Sequence, residues 1–78
     1  MNKELLNALY TFYEGNIAKA QANLRVYLDN PAGIGEHPDL VAAVDTEMTK
    51  LADASDKLAT LNSFYPETAE EFLSEENK

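Results

Sequence analysis

One apolar stripe, written twice around a single break, constrains this chain more than any other feature. In the first thirty residues Leu6, Tyr10, Tyr13, Ile17, Ala20, Leu24 and Tyr27 recur at alternating steps of four and three. That rhythm puts all of them on one side of an α-helix. Leu9 and Leu28 widen the stripe, while Glu14, Gln21 and Arg25 fall on the opposite, solvated side. Gly15 interrupts the helix at a cost of about 1 kcal/mol relative to Ala. It reads as a close packing point or a tolerated weak spot, with Ala18, Ala20 and Ala22 restoring propensity after it.

The break is Asn30-Pro31-Ala32-Gly33-Ile34-Gly35-Glu36-His37, the one Gly/Pro-rich stretch of the chain. Pro31 disfavours α geometry in Asn30 before it, so the first helix ends at about residue 29. Pro38 suits the first position of a second helix, His37 the N-cap before it, and Asp39 the positive end of the helix dipole. The second stripe then runs Leu40, Val44, Met48, Leu51, Ser55, Leu58, flanked by Val41, Ala54, Leu61 and Tyr65, to a stop at Pro66. Asp53 and Lys57 are placed to form an i,i+4 ion pair. Beyond the stop, Thr68 and Glu71 form a capping-box pattern that would open a short helix carrying Phe72 and Leu73.

The expected fold is therefore all-α. An antiparallel two-helix hairpin occupies 1–65, with helices over about 3–29 and 38–64 and a loop over 30–37, followed by an acidic tail over 66–78. Pairing across the loop sets Leu28 near Leu40, Leu24 near Val44, Ile17 near Leu51 and Tyr10 near Leu58. A layer of two helices leaves one side of each stripe uncovered, and Leu5, Leu9 and Phe12 add a second apolar ridge to the first helix. A second copy of the chain, completing a four-helix bundle, is the expected cover. The alternatives are the chain's own Phe64, Tyr65, Phe72 and Leu73, or a foreign protein. The candidate dimer interface is Leu5, Leu9, Phe12 and Tyr13, since tyrosine's apolar ring and water-tolerant hydroxyl suit an interface. Asn16 and Asn23 flank the same seam, where a polar residue is able to fix register.

Chemistry-bearing motifs are sparse. The chain has no cysteine and a single histidine, His37, which removes thiol chemistry and any Ser-His or Cys-His constellation within a helix. Gly33-Ile34-Gly35 lacks the third glycine, the preceding strand and the lysine of a phosphate-binding loop, so it reads as a turn. Glu36, His37 and Asp39 are too few to hold a metal. Glu47 lies at the edge of the second stripe and reads as a rim carboxylate reaching for Lys19, Arg25 or water. No catalytic, metal or cofactor residue is expected, and the chain is not expected to be an enzyme.

The net charge of −8 is lopsided. In residues 1–30 the acids Glu4, Glu14 and Asp29 balance Lys3, Lys19 and Arg25, so the whole imbalance lies in 31–78. Carboxylates do not release counterions from phosphate backbones, which argues against direct nucleic-acid binding. No apolar run approaches the roughly eighteen residues of a membrane span. The opening segment, interrupted by Glu4 and Asn7, does not read as a signal peptide.

The run Tyr27-Leu-Asp-Asn-Pro-Ala-Gly-Ile-Gly-Glu-His-Pro-Asp-Leu40, with Asp53-Ala-Ser-Asp-Lys-Leu58 and the opening Leu5-Leu-Asn-Ala-Leu-Tyr-Thr-Phe-Tyr13, resembles small proteins of T4-like bacteriophages, notably those of marine cyanobacterial phages. The resemblance spans about residues 4–65. It implies a context, the cytoplasm of an infected bacterium or less often a virion, and brings no catalytic residue. The functional expectation is a helical accessory protein that contacts a host or phage protein. Its candidate partner-binding loop is Gly33, Ile34, Gly35, Glu36, His37 and Asp39, alongside the acidic face of the second helix. An acidic DNA mimic that occupies a nucleic-acid-binding protein is the first alternative; a minor virion component is the second.

Overall fold

A computed structural model describes residues 2–29 and 39–69 of the chain. Two long helices dominate: α1 from Lys3 to Asp29, 27 residues, and α2 from Leu40 to Phe64, 25 residues. A further helical turn covers 66–69, and the described residues contain no strand.

Each long helix starts on a side-chain cap. At α1 the Leu5 amide donates to Asn2 Oδ1 at 3.0 Å. At α2 the cap is Asp39, with extended backbone (φ −131°, ψ 90°), whose Oδ1 accepts from the Ala42 amide at 2.9 Å. This corrects the expectation that His37 caps a helix beginning at Pro38. A carboxylate that accepts from the third amide of the helix satisfies an orphan donor and faces the positive dipole end. Asp39 therefore sets the start of α2; His37 and Pro38 lie outside the described residues. At the other end Tyr65 leaves helical geometry, its amide still donating to the Leu61 carbonyl at 2.8 Å. The chain re-enters a helical turn at once, with Pro66 as its first residue and the Thr68 amide donating to the Tyr65 carbonyl at 3.0 Å. Thr68 is inside this turn and 2% exposed; Glu71, Phe72 and Leu73 of the expected capping box and short helix lie outside the described residues. Proline's fixed φ and missing N–H suit the first position better than a threonine two residues later.

The helices pack as an antiparallel hairpin. Leu9 and Leu61 line one groove and Leu28 and Leu40 another, so the start of α1 lies beside the end of α2 and the end of α1 beside its start. In α1 the whole predicted stripe faces the seam, with Tyr10, Ala20 and Leu24 buried and the other members half-buried. In α2 the seam is rotated from the predicted stripe. Glu47, Ala54 and Leu61 are buried, while Met48 and Ser55 lie exposed. The seam of α2 therefore follows Leu40, Glu47, Ala54 and Leu61 on one edge and Val44, Leu51 and Leu58 on the other.

The resulting core is thin. Among the described residues its buried apolar members are Tyr10, Ala20, Leu24, Ala54 and Leu61, and two of these are alanines. The molecule measures 47 × 25 × 15 Å, its short dimension little more than one helix diameter of about 10–12 Å.

Candidate functional site

Two broad faces flank the seam, and they differ. On the first, Leu5, Leu9, Phe12, Asn16 and Lys19 follow the four-three rhythm along one flank of α1. Leu5 is 66% and Phe12 62% exposed, and Leu9 lies at the margin of exposure. Across the seam, Phe64 of α2 is 74% exposed. Leu9, Tyr13, Leu61, Phe64 and Tyr65 wall an open groove of about 370 Å³, with Lys57 and Thr60 at its lip. The Phe12 and Tyr13 rings lie 6.1 Å apart and tilted by 52°. Tyr13 is half-buried in the seam, so of the four predicted interface residues it belongs to the hairpin first, and the other three form the outward ridge.

Further along the same face, Asn16, Lys19, Glu47, Lys50 and Asp53 surround a cleft of about 230 Å³ floored by Ala20 and Ala54. Glu47 is 8% exposed, at the seam rather than the rim. Its partner is Lys50, one turn on, with Nζ 3.4 Å from Oε1, in place of the expected Lys19 or Arg25. Glu47 Oε2 is buried and has no hydrogen-bond partner among the described residues. Small alanines on both sides make the room, and the aliphatic stem of a glutamate packs where its charge alone would not. The expected Asp53–Lys57 pair forms at 3.0 Å. Asp53 raises the Lys57 pKa above 10.5, chiefly by accepting its hydrogen bond and then by its charge.

The second face carries an apolar groove of about 390 Å³ at the loop end, walled by Tyr27, Leu28, Leu40, Val41 and Val44. Val41 is 80% exposed there, and Met48 continues the apolar line two turns on. Of the candidate partner-binding loop, Gly33, Ile34, Gly35, Glu36 and His37 lie outside the described residues, and Asp39 is exposed as the α2 cap. Sequence reasoning missed the Glu47 cleft because a charged residue at a seam position was assigned to the rim. Among the described residues no three His, Asp or Glu side chains gather into a metal-binding group, and no described helix is long and apolar enough to cross a membrane.

No family model matches the chain, and neither a curated protein nor a solved structure matches it.

Proposed function

We propose that this chain is a helical interaction protein that works as a homodimeric four-helix bundle and acts through protein–protein contacts, without catalysis. The observation that carries the reading is the exposed ridge of Leu5, Leu9 and Phe12 beside Phe64 on a layer whose core is nearly half alanine. A two-helix layer buries only one stripe of each helix, and the usual remedy is a second layer.

The loop 33–39 and the acids Asp45 and Asp56 of α2 are then the candidate surfaces for a host or phage protein, the phage setting resting on the sequence resemblance alone. DNA mimicry has less support. Glu47 is buried, and Glu47 and Asp53 each hold a lysine, so α2 presents no uninterrupted row of carboxylates. Light scattering coupled to gel filtration across a dilution series tests the dimer: a stable mass near twice 8.6 kDa supports it, and a monomer throughout overturns it. Partner capture that survives substitution of Ile34 and His37 together would count against the loop.

A further inference from the structure

We infer that the second copy sits on the Leu9–Phe64 face with the two-fold axis parallel to the hairpin, so that each α1 lies over the partner's α2 with the open ends together. This rests on the homodimer reading and adds its face, orientation and register. A face-to-face dimer of this layer has two simple choices of axis. An axis along the hairpin preserves height, and α1 of one copy then meets α2 of the other. Leu5 and Leu9, which share the open end with Phe64, come against the second copy's Phe64, so exposed apolar side chains meet their own kind. An axis across the hairpin inverts height instead. It sets Leu5, Leu9 and Phe12 against the region of Asn16, Lys19 and Asn23, and turns Phe64 toward the start of the second copy's α2 instead of its Leu5 and Leu9.

The polar centre makes the same choice. Lys19 shares its cleft with Lys50, Glu47 and Asp53, so it is level with that part of α2. With the axis along the hairpin, Lys19 lies over the second copy's α2 at the level of Lys50, flanked by two carboxylates, Asp53 and Glu47, and Glu47 Oε2 is buried without a partner among the described residues. Asn16 arrives beside the second copy's Asp53. Charge at the centre of an otherwise apolar contact penalises a slip along the axis, because a shift of one turn takes Lys19 away from the two carboxylates. The other face offers a weaker match. Its apolar groove lies only at the loop end, and Asp45 stands among its α2 residues.

The chain has no cysteine of its own, so introduced cysteines report geometry cleanly. Leu5→Cys chains, lengthened by a tag, are mixed with untagged Phe64→Cys chains and oxidised. A covalent tagged–untagged dimer is expected, and none is expected when Val26→Cys replaces Phe64→Cys. Phe12→Glu should shift the dimer–monomer midpoint at least tenfold toward monomer while helicity by circular dichroism is retained, and Val41→Glu on the other face should leave it unchanged. A native dimer that cross-links Leu5→Cys with Val26→Cys, or that is dissociated by Val41→Glu and not by Phe12→Glu, overturns this arrangement and leaves the homodimer standing. A native chain that is monomeric at every concentration overturns both.

Discussion

At Gly15 a β-carbon would meet nothing within 4 Å, and the residue is exposed on α1. Of the two readings open from sequence, close packing and weak spot, the second holds. Gly15→Ala should therefore raise stability by about 1 kcal/mol. For a domain of this size that is a rise of about 4–8 °C in the melting midpoint, read by circular dichroism. No rise would mean that the alanine meets a surface absent from the monomer. Lys57 gives the opposite expectation. Its pKa is raised, so the Asp53 contact contributes fully below the ordinary lysine value of 10.5 and fades as pH climbs through the raised one. The pair is exposed, and such pairs contribute little; Lys57→Met should leave the melting midpoint at neutral pH unchanged within error. Glu47 shows where single residues mislead. Its charge reads as rim, yet the space beside Ala20 and Ala54 admits its stem, and no property of Glu47 alone reveals that its neighbours are small.

Among the elements, the seam of α1 was legible because Leu6, Tyr10, Tyr13, Ile17, Ala20, Leu24 and Tyr27 form one unbroken four-three stripe, with Leu5, Leu9 and Phe12 on a separate flank. The two helices, their antiparallel sense and the stop before Pro66 followed from the same pattern and from proline's chemistry. The rotation of α2 was not legible. Val41, Val44, Met48 and Leu51 spread apolar character over a wide arc, and a count that steps from Val44 to Met48 selects a stripe one residue off the seam. Only packing against α1 decides between the two, and it selects Glu47 and Ala54 over Met48 and Ser55. The start of α2 was misjudged because proline and histidine signals were weighed above a carboxylate two residues on. Asp39→Ala should cost about 1 kcal/mol through loss of the bond to the Ala42 amide. His37→Ala should leave the melt unchanged. Urea titrations of the two variants check both, and the reverse order would return the cap to His37. The exposed ridge was visible as an amphipathic surplus, whereas the cleft that continues it required the relative rotation of the two helices.

For the molecule as a whole, the thin core and the exposed ridge have a thermodynamic consequence. If the second layer of the bundle is another copy, association stabilises the folded hairpin by mass action, and stability depends on concentration. Each tenfold dilution then removes about 1.4 kcal/mol per dimer. Unfolding entropy near 60 °C is about 2.1 cal/mol/K per residue, or roughly 330 cal/mol/K for two chains of this length. The melting midpoint should accordingly fall by about 4 °C for every tenfold dilution. A monomer closed by its own tail would melt at one temperature at all concentrations. Removal of residues 70–78 separates the two cases further: the dimer should keep its concentration slope, whereas a tail-closed monomer should lose stability outright. Phe12→Glu joins the two scales. It should abolish the slope, because the ridge that couples folding to association is gone, and leave a helical hairpin whose lower midpoint no longer moves with dilution.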